Sequence, residues 1–422
     1  MTGERASAAT VDAAAVDDAA TRLRDVMGPS PLERNDRLSA LVDGEVWLKR
    51  EDRQVVRSYK LRGAYNLIAQ EQERARTTGV VCASAGNHAQ GVAWACRTLG
   101  LPARIYVPGT TPRQKRDRIR SLGDAFVTIF VVGETYDDAA AEAVRDADSS
   151  GAVLVPAFDD PRTVAGQGTV AGEILDALGR APDRIVVPVG GGGLLAGMAT
   201  WLCERAPEVR TVGVEPAGAA CMGAALQAGG PVRLEHLDPF VDGAAVRLAG
   251  TVTYPLIRDF AGEVVVVDEG RVCSEMLRLY QHDGIIAEPA GALATAALGD
   301  PVRPAPGELT VCILSGGNND VSRYNEVIER SLIYEGLKHY FLVEFPQEPG
   351  ALRRFLAEIL GPDDDITLFE YVKRNNREFG PALVGLELGR AEDLGPMLAR
   401  MDASPLSCRR LEPDDPVSRF LI

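Results

Sequence analysis

Residues Ile185-Val186-Val187-Pro188-Val189-Gly190-Gly191-Gly192-Gly193-Leu194 join an apolar run to four glycines and the start of a helix-like segment, Leu194–Arg205. The apolar part does not alternate with polar residues, as a strand with one wet face would. Continuous Val/Ile runs mark strands buried on both faces, hence parallel sheets covered by helices. The same kind of run recurs at Gly79–Ala83, Ala103–Val107, Ala125–Val132, Thr211–Val214, Glu263–Val267 and Leu309–Leu314. Helix-like segments such as Asn87–Leu99 and Thr135–Asp146 lie between them. The reading is an α/β protein with open, mostly parallel sheets up to about residue 330. Four glycines exceed what a turn needs. They let the backbone wrap an anion while the positive end of the following helix attracts it. A bare flexible turn is the competing reading. No Gly-Lys-Ser/Thr follows, so this is not a Walker A loop, and the Gly-x-Gly-x-x-Gly pattern of a nicotinamide dehydrogenase is absent. A cofactor phosphate is the preferred ligand.

The chain has 422 residues and a net charge of −15, from 45 basic and 60 acidic side chains. No basic excess is available for nucleic acid or an anionic membrane. The cysteines at 82, 96, 203, 221, 273, 312 and 408 form no Cys-x-x-Cys pair, and several sit in apolar runs. They read as buried hydrophobes of a reducing compartment. Four scattered histidines suggest no metal cluster. With neither a signal pattern nor a membrane-length apolar stretch, a cytoplasmic location is expected. Residues 1–21 are expected to be a flexible N-terminus with at most a helix from Val16 to Met27, broken at Gly28-Pro29-Ser30-Pro31.

Three further stretches carry candidate chemistry. Arg57-Ser58-Tyr59-Lys60-Leu61-Arg62-Gly63-Ala64 lies between an extended run (Val46–Arg50) and a helix-like run. Partial burial of Lys60 would favour its neutral, nucleophilic amine. A solvated lysine at a helix start fits these eight residues too. Ser84-Ala85-Gly86-Asn87-His88 follows a strand and opens a helix, so its backbone N–H groups suit a carboxylate or phosphate, although close packing at an N-cap looks the same. Ser315-Gly316-Gly317-Asn318 ends a strand, where open α/β sheets bind ligands, although by itself such a stretch is more often just a turn.

In this order and spacing, the Lys60, Asn87, glycine-run and Ser315 motifs resemble the fold-type II pyridoxal-phosphate enzymes, specifically the threonine dehydratase (threonine ammonia-lyase) group. Glu288-Pro289-Ala290-Gly291-Ala292 is similar to that family's segment near the cofactor. The resemblance covers about residues 22–330, with a smaller subdomain inserted over about 63–170. It implies that pyridoxal 5'-phosphate is held covalently by Lys60, the catalytic residue. Asn87 would bond the ring's 3′ oxygen. Gly190, Gly191, Gly192, Gly193 and Leu194 would bind the phosphate, and Ser315 would face the pyridine nitrogen. Ser84, Ala85, Gly86, Asn87 and His88 would receive the substrate carboxylate. The implied reaction is deamination of L-threonine to 2-oxobutanoate and ammonia, the first step of isoleucine biosynthesis. Serine racemases of similar sequence carry a serine immediately before Gly-Asn-His; Ala85 stands there, so racemisation is not expected. Some relatives bind a divalent cation through a glutamate and a nearby aspartate. Glu215 matches the first, but Cys221 stands where the second is sought, so no metal is expected and Glu215 reads as a strand-end carboxylate in solvent.

Residues 331–422 differ in character. His339–Phe345 alternates, Pro346–Gly350 is a turn, and Ala351–Leu360 is amphipathic. Strand-like Ile366–Val372 and Ala382–Leu388, a helix near Leu394–Met401 and a last strand at Ser407–Leu411 complete a ferredoxin-like order. This tail resembles the family's ACT-like regulatory domain. It implies an amino-acid effector, isoleucine with valine as a possible counter-effector, and a homo-oligomer, dimer or tetramer; a domain that only supports oligomerisation is the competing reading. Two other functions fit parts of the sequence: a broader or catabolic serine/threonine dehydratase, and a non-catalytic amino-acid sensor.

Overall fold

The computed structural model describes residues 11–371, 378–412, 415–417 and 421. The chain divides into two compact units. One runs through Glu269 and resumes over Leu279–Asn319; the other comprises Gly270–Arg278 and the chain from Asp320 onward.

Among the described residues, ten strands lie in the first unit: β1 (Leu32–Arg34), β2 (Glu45–Arg50), β3 (Val80–Ala83), β4 (Ala103–Val107), β5 (Val127–Val131), β6 (Val153–Leu154), β7 (Arg184–Pro188), β8 (Arg210–Pro216), β9 (Glu263–Val267) and β10 (Leu309–Leu314). They form a six-stranded sheet, order β1-β2-β10-β7-β8-β9, and a four-stranded sheet, order β5-β4-β3-β6. All pairings are parallel except β1 with β2. β7 and β10 are buried at every residue, as continuous apolar runs require. β1 and β6 escape sequence reading because two or three residues show no period. The four-stranded sheet lies within the insertion expected over about 63–170, yet both sheets belong to one compact unit.

The expected flexible N-terminus is corrected over residues 11–21; residues 1–10 lie outside the described residues. A helix runs Ala13–Arg24, capped by Asp12, whose side chain accepts from the Ala15 amide at 2.8 Å. Ala13, Val16, Ala19 and Leu23 make a buried stripe that the alanine-rich composition hid. The Trp201 indole fixes the exposed side by donating to Asp17 Oδ1 at 2.7 Å.

In the second unit, β11 (Lys338–Pro346), β12 (Asp365–Tyr371), β13 (Phe379–Glu387) and β14 (Ser407–Arg410) form an antiparallel sheet, order β12-β13-β11-β14. With helices Ala351–Glu358 and Leu394–Ala403 this is the expected ferredoxin-like unit; Val372, assigned to a strand from sequence, lies outside the described residues. Its core includes Phe341, Phe345, Phe355, Val384 and Met397. The unit begins earlier than residue 331. Helix Tyr324–Tyr334 is tied to β11 through Glu329, which accepts from the Tyr340 hydroxyl at 2.5 Å and pairs with Lys338. Ser274, from the other segment of this unit, shares a 2.9 Å hydrogen bond with Ser331. No helix among the described residues is long and apolar enough to cross a membrane.

Candidate active site

Lys60 is the first residue of helix Lys60–Gln70. The three residues before it are sewn to the turn after β10. The Gly317 amide donates to Arg57 O at 2.9 Å, Ser58 bridges Gly316, and the Tyr59 amide donates to Ser315 O at 3.2 Å. Lys60 is half-buried; its Nζ donates to Ala157 O at 3.3 Å and lies 5.1 Å from the centre of the Tyr59 ring. Two residues on, Arg62 is fully buried. It donates to Glu51 at 2.9 and 2.7 Å, to Glu173 at 2.6 and 2.8 Å and to Thr169 at 3.0 Å. Burial alone would lower the Arg62 pKa; the Glu51 and Glu173 carboxylates outweigh it and hold the guanidinium charged. This cage fixes the first turn of the lysine's helix.

The glycine run follows β7, with Gly192 capping helix Gly193–Arg205 at φ +90°, a left-handed conformation that favours glycine. A Cβ on Gly191 would lie 2.3 Å from the Phe158 ring. Among the described hydrogen bonds, the amides of Gly191, Gly192, Gly193 and Leu194 have no acceptor. Unpaired amides at a positive helix end make an anion cradle. Phe158 walls it, and the preceding residue, Ala157, takes the Lys60 amine, so the cradle and the lysine share a neighbouring segment.

Asn87 opens helix Asn87–Leu99 at the end of β3. Its Nδ2 donates to Glu288 at 2.5 Å and its Oδ1 accepts from Asn318 Nδ2 at 2.8 Å. Ser84 Oγ accepts from the Gly86 amide at 3.2 Å. The His88 ring turns inward: Nε2 bonds Val155 O at 2.7 Å, and Nδ1 is buried without a partner. Burial, with the nearby Lys60 charge, pushes the His88 pKa down to about 4, so the imidazole is neutral. Its backbone amide, not its ring, is what the turn offers a ligand. Ser315 is buried, and its hydroxyl donates to Ala290 O at 3.2 Å. Thus the Lys60, Asn87 and Ser315 stretches meet at the carboxyl ends of β3 and β10.

Sequence reading did not single out Phe158, and it placed Glu288 only within a segment near the cofactor, without a role. Glu288 is buried, and burial followed by the Asp242 charge pushes its carboxyl up to about 7 against the Asn87 hydrogen bond. The signal was a lone carboxylate among Ile285, Ile286, Ala287, Pro289 and Ala290. Glu215 is corrected: it is not a solvated strand-end carboxylate. It is buried, accepts from the Met222 and Gly223 amides at 2.8 Å each, and burial pushes it up to about 7. Among the described residues, no group of three His, Cys, Asp or Glu side chains could hold a metal ion. The amine, the unpaired amide cradle and the buried hydroxyl and amide groups fit pyridoxal phosphate. In the second unit, a cavity of about 340 Å³ is lined by Phe345, Glu348, Gly350, Ala351, Phe369 and Tyr371, among others. It includes the turn at 346–350.

The family model of pyridoxal-phosphate dependent enzymes matches residues 23–316, and that of the C-terminal regulatory domain of threonine dehydratase matches residues 329–421. The biosynthetic L-threonine dehydratase of Mycobacterium tuberculosis is 60% identical over 98% of this chain and 96% of that protein. The Bacillus subtilis enzyme of the same name is 47% identical over 95% of each. The processed form of threonine deaminase isoform 2 from Solanum lycopersicum is 36% identical, with a TM-score of 0.71 over 78% of this chain and 98% of that one. Maize serine racemase is 29% identical with the same TM-score, over 77% and 99%. The chain therefore belongs to the pyridoxal-phosphate dependent enzymes, in the branch that holds the biosynthetic threonine dehydratases.

Proposed function

We propose that the chain deaminates L-threonine to 2-oxobutanoate and ammonia, as the first step toward isoleucine, with Lys60 as its base. The carrying observation is the tie between the lysine's segment and Ser315, with the Lys60 amine on Ala157 O beside the Phe158 wall of the cradle. Bound pyridoxal phosphate supplies an electron sink for negative charge at the substrate's α-carbon. Lys60 would carry the cofactor, and its amine would remove the substrate's α-proton. Gly190–Leu194 hold the phosphate. Asn87, fixed by Glu288 and Asn318, would bond the ring's 3′ oxygen. Ser315 would face the pyridine nitrogen with a neutral hydroxyl, which would make the bound cofactor a weaker electron sink and favour elimination over transamination. Amides of the Ser84–His88 turn receive the substrate carboxylate. Ala85 has no acid to offer the opposite face, which supports elimination over racemisation.

The second unit is proposed to bind an amino-acid effector, isoleucine, with valine opposing it; the cavity at Glu348–Ala351 suits a ligand of that size. A homo-oligomer and a cytoplasmic location belong to the same reading. The test is turnover of L-threonine and L-serine by purified protein with a visible absorbance scan for the bound cofactor. Threonine turnover above serine is expected, hyperbolic without isoleucine and inhibited by it. An absorbing protein that turns over neither substrate overturns the reaction. Activity indifferent to isoleucine and valine overturns the effector role.

A further inference from the structure

Three consecutive residues, Ala157-Phe158-Asp159, each touch a different part of the site. Ala157 O accepts from Lys60 Nζ at 3.3 Å. The Phe158 ring lies 2.3 Å from where a Gly191 Cβ would sit, and its own Cβ 3.1 Å from that of Gly193. The Asp159 carboxylate accepts from the Thr251 amide at 2.8 Å, the Thr251 hydroxyl at 2.9 Å and the Val252 amide at 2.7 Å, with the Thr253 amide at 3.4 Å. It thereby caps helix Thr253–Phe260 from a distant segment. The Thr253 hydroxyl, fully buried, donates to Gly191 O at 2.6 Å.

That last bond has a directional consequence. Gly191 O and the Gly192 N–H belong to one planar trans peptide and point opposite ways. Holding the carbonyl toward Thr253 turns the Gly192 amide toward the other side. Cys221 Sγ, 3.6 Å from Gly190 O, does the same for the Gly191 amide, more weakly. The packing leaves no slack: a Cβ on Gly250 would lie 2.2 Å from Asp159 Oδ1 and 2.6 Å from Thr253 Oγ1. On the other side Asp160 caps helix Pro161–Leu178 by accepting from the Arg162 amide at 2.8 Å.

We propose that Thr253 and Asp159 are positioning residues that aim the glycine-cradle amides at the cofactor's phosphate and keep them in register with Lys60. This rests on the proposed reading that the cradle takes the phosphate. If Asp159 only caps a helix, its loss weakens the fold without distinguishing one ligand from another. The test therefore compares two ligands of the apoenzyme, pyridoxal phosphate and pyridoxal, which uses the same lysine but lacks the phosphate. Absorbance titration gives both dissociation constants for wild type, Thr253→Val, Thr253→Ser and Asp159→Asn. Thr253→Val is expected to weaken pyridoxal phosphate about 5- to 30-fold, the loss of one or two well-aimed bonds, and leave pyridoxal within about 2-fold. Thr253→Ser restores wild-type affinity. Asp159→Asn shows the same selective loss, and stands alone should Thr253→Val not fold. Equal weakening of both ligands, no weakening of either, or a serine variant no better than valine overturns the proposal. A wild type that binds no pyridoxal phosphate instead overturns the functional reading beneath it.

Discussion

The turns after β3 and β7 are built on one local plan. In each, a buried strand ends in small residues and a helix starts, leaving unpaired amides at a positive helix end. Their surroundings differ. The first turn carries Asn87, locked between Glu288 and Asn318, and buries the His88 ring against Val155. The second carries bare glycine under the Phe158 ring. The dipole is common to both, so ligand choice rests with the neighbours: polar side chains that read a shaped group in one, and close, side-chain-free backbone in the other.

Lys60 stands apart from both turns, and its removal has the largest expected effect. Lys60→Ala should lose threonine turnover by at least about 1,000-fold, along with the visible absorbance of the lysine-bound cofactor; turnover within tenfold of wild type would sink its catalytic role. Next is Gly191→Ala. Its methyl would strike Phe158, and overpacking of this kind costs about 1–3 kcal/mol. Cofactor affinity should fall by about 10- to 100-fold, and Phe158→Ala in the same chain should recover part of it. An unchanged dissociation constant in the single variant would show that the second turn tolerates side chains.

Asn87→Ala probes the first turn. It removes one hydrogen bond each from the buried Glu288 carboxyl and the Asn318 amide, which keeps Val56 O, a loss of about 1–3 kcal/mol. Threonine turnover should drop while phosphate-dependent affinity stays near wild type; a parallel fall in both would erase the contrast between the turns. The smallest effect concerns pH. Glu288 is raised from 4.5 to about 7, so the folded chain keeps a proton that the unfolded chain releases. Its contribution is complete below about pH 4.5 and is lost as pH rises toward 7. Glu215, also raised to about 7, acts with the same sign; His88, lowered to about 4, acts with the opposite sign between pH 4 and 6.5. Denaturant midpoints of the apoenzyme between pH 5 and 8 should fall less steeply in Glu288→Gln than in wild type. Identical slopes would show that Glu288 does not titrate in that range.

The continuous apolar runs placed the parallel strands within a residue or two, and burial on both faces accounts for the signal at β7 and β10. The expectation of two-face burial is corrected at the edge strands β5 and β9, which carry the same kind of run but are largely half-buried or exposed because no strand covers their outer side. The alternation after His339 likewise placed the antiparallel unit. The helix expected from Val16 to Met27 runs Ala13–Arg24; its start and its packing were hidden by composition, since alanines look inert until a neighbouring helix covers them. In the candidate site, the glycine run, Asn87, Ser315 and Lys60 each allowed a bland local reading, and their order and spacing together carried the resemblance that singled them out. Phe158, Thr253 and Asp159 were not legible: an aromatic over a glycine and a carboxylate capping a helix some ninety residues away exist only once the chain has folded.

By itself, then, the sequence determined where the strands run, the glycine-led turns and a lysine at a helix start, each a property of a short stretch. The tertiary structure alone decided that the Lys60 segment is sewn to Ser315, that Glu288 is buried beneath Asn87, and that Glu215 caps a helix rather than facing water. The physical reason is that hydrogen-bond partners and the desolvation of charges are set by what lies opposite in space, and spacing along the chain does not encode that.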